Sequence, residues 1–410
     1  MKKLIALLLA GVMAISLTAC GGQESSGTTA AADGGGTTAE ADGGDDTAAA
    51  DDGGSAAAGD AVYTIGLAAM LTGDNALNGE RMQKSTEMAI SQYNEAAGYE
   101  KFVLRVEDDM TTTEGALTAV QHLISDGCLA IVGPHRSSNA LAVSETAQEN
   151  EVSILVGGTA VSIDGSNPYM FRARASDSIM AEVAASFAGE TLGAKKIGVM
   201  HASDEYGQGG ADTVFAYCEE NGIEYVDEPH NVNDVDFTNA ILDLQTQGVD
   251  TVVVWTHDAE LAIIAQQLNT YLPDVQVVSS PGATLDNVLN LCEADWVDGW
   301  YSVTDFISSA DETVVQEFVA AYEEMYGETP DLYAAAYYGA AVTILEAVLA
   351  AEEAGEVTSQ TVRDQIAATS GLELPTGTFT CDDVNDLVHS CVIAELDGLT
   401  PVYYDSVSVE

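Results

Sequence analysis

The chain has 410 residues, of which 12 are Lys or Arg and 66 are Asp or Glu, for a formal net charge of −54. A surface of that sign repels phosphate backbones and anionic lipid, which excludes nucleic acid as a partner. Residues 61–410 are too many for one typical core and predict two lobes.

The first element is a leader. Lys2 and Lys3 precede an apolar run over 4–16 (LIALLLAGVMAIS) that has signal-peptide length and is too short to span a bilayer comfortably. Leu17, Thr18, Ala19 and Cys20 resemble the bacterial lipobox, in which the cysteine receives a diacylglyceryl group and becomes the first residue after cleavage. Two acyl chains give stable anchoring where one is marginal. The expectation is a signal peptide over 1–19 and a lipidated Cys20 on the outer face of the cell membrane. Residues 21–60 contain no Lys, Arg, aromatic, Leu, Ile or Val, so they lack the apolar surface that would offset ordering entropy. Residues 20–60 read as a disordered acidic, Gly-rich tether, whose root-mean-square span is about 35 Å.

Beyond the tether, short β-rich runs alternate with helical patterns. The runs are YTIGLAAM (63–70), FVLRVED (102–108), LAIVG (129–133), SILVGG (153–158), KIGVM (196–200), DTVVVWT (250–256) and VQVVSS (275–280). Between them the apolar period becomes helical. Ala116, Ala119, Val120, Leu123 and Ile124 keep that spacing, as do Phe237, Ile241 and Leu244 behind Asp236 as a candidate N-cap. This cadence predicts right-handed βαβ units and parallel sheets, with strands apolar enough to be covered on both faces. Ligands of such sheets bind beyond the carboxyl ends of the strands. Two consecutive turns there are rich in small hydroxyl residues: Pro134 to Asn139 (PHRSSN), and Gly157, Gly158 and Thr159. Each is expected at a helix start, where free N–H groups and the helix dipole favour an anion, so the pair predicts a carboxylate pocket. Ser137 and Thr159 as simple N-caps is the alternative.

The segments IGLAAMLTGDNALNGE (65–80), IVGPHRSSNA (131–140), SILVGGTA (153–160), FRARASDS (171–178), HASDEYGQGG (201–210), DFTNAILDLQ (236–245) and YAAAYYGA (333–340) together resemble the Leu/Ile/Val-binding protein family over about residues 61–405. These are type I periplasmic binding proteins that deliver amino acids to ABC transporters. The resemblance implies an α/β fold of two Rossmann-like lobes with parallel sheets, joined by three crossover strands near 172–177, 301–306 and 376–382. It divides the domain into 61–176 plus 305–377 and 177–304 plus 378–410. It further implies a small-molecule ligand, a separate permease with ATPase subunits, a monomer, and no cofactor. Ser137 and Thr159, with the backbone of Gly157 and Gly158, would hold a ligand carboxylate, and Tyr206 would close over it from the second lobe. Asp177 would pair with an α-ammonium, with a helix N-cap as its alternative role.

Departures from the family pattern bear on the ligand. Where the branched-chain binders carry an acid after the VQVVSS-like strand, this chain has Pro281. Asn78 stands where those binders have an aromatic wall, His257 replaces a tyrosine, Arg136 borders the carboxylate turn, and Tyr333 keeps an aromatic wall position. Unpaired buried polar groups cost free energy, so this pocket predicts a polar amino acid or related small acid.

Other classes fit less well. The six histidines form no HExxH pattern, and neither a GxSxG elbow nor a GxxxxGK loop is present, so no enzyme is expected. The cysteines after Cys20 (128, 218, 292, 381 and 391) form no CxxC pair or metal-spaced cluster, and no metal site is expected. Cys381 and Cys391 flank the turn DDVND and are either a disulfide or buried thiols. A ligand-sensing module of the same fold is the alternative function. No spanning segment is expected between residue 61 and Glu410, which favours delivery to a separate permease.

Overall fold

The computed structural model describes residues 61–73 and 75–408; the leader, Cys20 and the tether lie outside the described residues. The fold is α/β with two main sheets. The first comprises β1 (Tyr63–Ala69), β2 (Phe102–Asp108), β3 (Ala130–Val132), β4 (Ser153–Val156) and β5 (Met170–Arg172), all parallel, in the order β2-β1-β3-β4-β5. β1 to β4 lie within apolar runs named above, whereas β5 lies in none of them, and β3 and β4 are buried at every residue, as strands covered on both faces must be.

The second sheet holds β6 (Lys196–Ala202), β7 (Glu224–His230), β8 (Thr251–Trp255), β9 (Gln276–Ser279) and β10 (Tyr301–Thr304), also parallel. A hairpin of β13 (Ser390–Asp397) and β14 (Thr400–Ser408) completes it antiparallel, in the order β14-β13-β10-β9-β8-β6-β7. The expectation of parallel strands therefore fails at this edge. For β14 the cause is the two-residue connection Gly398-Leu399, with Gly398 at φ 59°, which reverses the chain after β13 and leaves no room for a crossover helix.

The helices bury the faces their periodicity marks. In α2 (Thr113–Ser125), Ala116, Ala119, Val120 and Leu123 are buried, and Thr112 caps the start by accepting the Gly115 N–H at 3.0 Å. In α6 (Thr238–Gln247), Ile241 and Leu244 are buried, but the capping position is Phe237 rather than Asp236. Asp236 still accepts the Thr238 N–H at 3.0 Å, so it ties the turn one residue further out than the spacing predicts. One helix of the described residues, α11 (Leu332–Ala354), is long and apolar enough to cross a membrane by length and composition. Most of it is buried as the central helix packed against α1 (Ala76–Ala97), which explains a helix apolar on all sides.

The chain passes between the sheets three times, over 173–176, 305–312 and 380–389. The resemblance implies crossover strands near 172–177, 301–306 and 376–382, of which the first coincides with a passage and the other two overlap one only at its start. In the structure β5 and β10 belong to the sheets, and β12 (Gly377–Phe379) pairs with β11 (Leu372–Leu374) as a separate ribbon, so the passages themselves are irregular backbone. Side chains and backbone brace them. Arg172 exchanges backbone hydrogen bonds with Asn385 and Leu387, its guanidinium meets Asp386 at 3.3 Å, and Arg174 pairs with Asp305. The five described cysteines are free thiols; Cys391 is buried and the Cys381 Sγ lies 3.6 Å from the Asp382 carbonyl.

Candidate ligand-binding site

The two turns foreseen beyond β3 and β4 meet as expected. Gly133 leaves β3 at φ 81°, and a Cβ there would fall 2.1 Å from the Ala68 carbonyl oxygen, so glycine is required. The chain then enters α3 (Ser137–Asn150), whose capping position is Arg136 with no side-chain cap. The first N–H groups of this helix are thus free for an anion. Ser137 Oγ accepts the N–H groups of Thr159 at 3.2 Å and Ala160 at 3.1 Å, stitching one turn to the other. Its hydroxyl proton remains to be donated.

The second turn is not a helix start. After Thr159 the chain runs through SIDGSNP, where Asp164 accepts the Ser166 N–H and Asn167 accepts the Tyr169 N–H; the next helix, α4 (Asp177–Ser186), begins only at Asp177. These turn-forming side chains compete with helix, so of the two turns only the first brings a helix start to the site.

From the second sheet come α5 (Glu205–Asn221) and α7 (Asp258–Tyr271). Asp204 caps α5 by accepting the Gly207 N–H, and its other oxygen lies 2.6 Å from His257 Nε2. Burial alone would raise the Asp204 carboxyl, but the His257 bond and charge bring it below its ordinary range. Tyr206 lies against His257, ring centroids 5.2 Å apart, and Tyr333 against His135 at 4.5 Å. Burial, then the charges of Arg174 and Arg136, hold His135 well below the ordinary histidine range, so it is a neutral imidazole.

These elements line a partly open cavity of about 60 Å³. Of the residues singled out in the sequence, Arg136, Ser137, Gly157, Gly158, Thr159, Tyr206, His257 and Tyr333 line it. Asn78 does not. It is buried one layer behind, donating from Nδ2 to Asp258 Oδ2 at 3.0 Å, where Asn287 also donates at 2.7 Å. Asp177 does not line it either. Its N–H bonds the Thr159 carbonyl at 2.8 Å, which draws the start of α4 beneath the second turn and leaves the carboxyl fully buried beside the Thr159 hydroxyl and Trp255. Burial pushes that carboxyl up to about 7 against the opposing pull of these neighbours and of Arg172 and Arg174. Pro281 opens a single 3₁₀ turn, Pro281–Thr284, that brings Gly282 but no carboxylate to the lining.

Among the lining residues given no role in the sequence are His135, Asp258 and Arg174. Arg174 is 5% exposed, and Asp305, 1% exposed, binds its Nε at 2.6 Å and Nη2 at 2.7 Å. The signal for it was a second arginine two residues after Arg172 in a chain with very few basic residues. The two sides of the cavity are also clasped outside it: Arg81 of α1 pairs with Asp286, on the far side, at 2.6 Å and with Asp331.

Residues 62–400 match the family model described as periplasmic binding protein. The Leu/Ile/Val-binding protein BraC3 of Rhizobium johnstonii is 29% identical over 225 residues, which are 53% of this chain and 61% of that protein. The chain thus aligns with about three-fifths of that relative's length. Among solved structures, the leucine-binding protein LivK of Thermotoga maritima superposes with a TM-score of 0.78 at 21% identity, covering 85% of this chain and 99% of that one. A solute-binding protein of an ABC transporter from Rhodopseudomonas palustris BisB5, in complex with 3,4-dihydroxybenzoic acid, gives 0.75 at 21% identity, covering 85% and 97%. At these identities the likeness to solved structures is one of fold. With a family match over 62–400, the chain belongs to the periplasmic binding protein family.

Proposed function

We propose that the chain is the extracytoplasmic solute-binding component of an ABC importer, capturing a small carboxylate of amino-acid type between two hinged lobes. The lobes are 61–176 plus 305–377 and 177–304 plus 378–410, and Cys20 carries the lipid that tethers them to the membrane. A monomer of this kind hands its ligand to a permease and its ATPase subunits. The observation that carries the reading is the uncapped start of α3 opening on the cavity beside the Ser137 hydroxyl. Free N–H groups, a helix dipole and a hydroxyl donor together suit a carboxylate. Tyr206 and His257 supply the opposing wall. For an ammonium, the candidate partner is Asp258, which lines the cavity and has Oδ1 left after Asn78 and Asn287 bind Oδ2.

A second reading, an acid without an ammonium, is favoured by Pro281 and by the benzoic acid bound in the Rhodopseudomonas palustris protein. Thermal unfolding against the twenty amino acids and a panel of small organic acids tests both. A ligand at a hundred times its dissociation constant stabilises by about 2.7 kcal/mol, a shift of a few degrees. The amino-acid reading requires a shift with an amino acid that the des-amino acid does not give; a shift with the des-amino acid alone selects the second reading, and no shift with any carboxylate refutes both.

A further inference from the structure

Arg174 is a buried cation placed at a ligand cavity, and its geometry leaves it half used. A guanidinium has five N–H donors arranged in two forked edges. Asp305 binds one edge, through Nε and Nη2 at 2.6 and 2.7 Å. The other edge, Nη1 with the second Nη2 proton, makes no hydrogen bond among the described residues, although the side chain is only 7% exposed. That edge belongs to a side chain lining the cavity, and the free edge of a guanidinium matches a carboxylate in width and angle.

The cavity lining gathers two of the chain's few basic residues. Arg136 and Arg174 both line it, against a single lining carboxylate, Asp258, which already accepts from two amides. The α3 end of the cavity accounts for one carboxylate, and Arg174 is a separate donor on the passage between β5 and α4. We infer that the ligand carries a second carboxylate, held by the free edge of Arg174 with Arg136 beside it, so that the substrate class is a small dicarboxylate, with or without an ammonium. This rests on the carboxylate-capture reading above. The Arg174–Asp305 pair thereby gains a second role, in which Asp305 fixes the guanidinium plane so that the free edge faces the ligand.

The test is calorimetric titration of the whole chain with matched pairs differing only in one carboxylate: L-aspartate and L-asparagine, L-glutamate and L-glutamine, succinate and succinamate. In at least one pair the diacid binds about ten- to a hundredfold more tightly than its amide, the range expected for a charge-assisted bidentate contact. Arg174→Lys keeps the charge facing Asp305 but cannot form the fork, and it brings that ratio to within about threefold of unity. Amides that bind as tightly as the diacids overturn the second carboxylate and leave carboxylate capture standing. The same follows if Arg174→Lys leaves the ratio unchanged. Absence of binding by every one of these diacids overturns the second carboxylate, and carboxylate capture falls with it only where the wider panel of amino acids and organic acids also gives no melting shift. Should Arg174→Lys fail to fold, the ratios of the unmodified chain decide alone.

Discussion

Replacing Asp305 by alanine strips the counter-ion from Arg174 without removing the arginine. Both groups are buried, 1% and 5% exposed, and the pair is joined by two short bonds of 2.6 and 2.7 Å. Breaking a buried pair from one side costs about 3–5 kcal/mol, because the remaining charge stays desolvated. Unfolding entropy near 60 °C is about 2.1 cal/mol/K per residue, so a domain of roughly 350 residues has about 0.7 kcal/mol/K. The expected fall in melting temperature is therefore about 4–7 °C. The assay is thermal unfolding by calorimetry without ligand, beside urea titration for the free-energy difference. The double variant Arg174→Met with Asp305→Leu is the control, since an apolar pair of similar volume restores much of the loss. A single-variant loss under about 1 kcal/mol, or a double variant as unstable as the sum of the singles, refutes the argument that this pair is buried and coupled.

Ser137→Ala removes the acceptor of two buried N–H groups, so it lowers stability by about 1–3 kcal/mol and abolishes the ligand-induced melting shift; an unchanged shift contradicts the pocket assignment. Asp177 has its folded-state pKa raised from 3.8 to about 7, so the folded chain holds a proton that the unfolded chain has released. Its contribution to stability falls as pH rises between those values, by at most about 1.4 kcal/mol per pH unit. Asp177→Asn accordingly raises the melting temperature more at pH 8 than at pH 4, and equal effects at both count against it. Asp286→Ala releases one side of the Arg81 clasp; because Asp286 is well exposed, the loss is about 0.2–1 kcal/mol, a rise in dissociation constant of up to about fivefold by calorimetry. A larger rise means that Arg81 does more than clasp.

How much of this was legible depends on how local the determinant is. The strands over 63–69 and 102–108, and the buried face of α2, follow from residue period alone. β7 (EYVDEPH) does not, because an edge strand carrying four ionisable residues and Pro229 lacks the apolar signature of its neighbours. α11 hides its nature for the opposite reason, being apolar all round, so that only packing separates a core helix from a membrane span. At the site, Ser137 and Thr159 were readable from the turns that hold them. Asp177 was not: its residue type fits an ammonium, but one backbone bond to Thr159 turns it into the interior. Asp258 looks like any acid at a helix start, and Arg174 gains meaning only when Asp305, far along the chain, claims one of its edges.

The bracing of the three inter-sheet passages bears on how the molecule can move. Three unlinked tethers would let two bodies slide, twist and bend independently. Here the first passage is tied to the second by Arg174 and Asp305, and to the third by the Arg172 bonds to Asn385, Leu387 and Asp386. Cross-linked in this way, the passages resist shear and torsion, because either motion would tear bonds that bending about a common line leaves intact. For the hinged lobes proposed above, opening is then a single coordinate. Distances between any two probes across the cleft should change in fixed proportion, so that one pair of labels reports the whole motion.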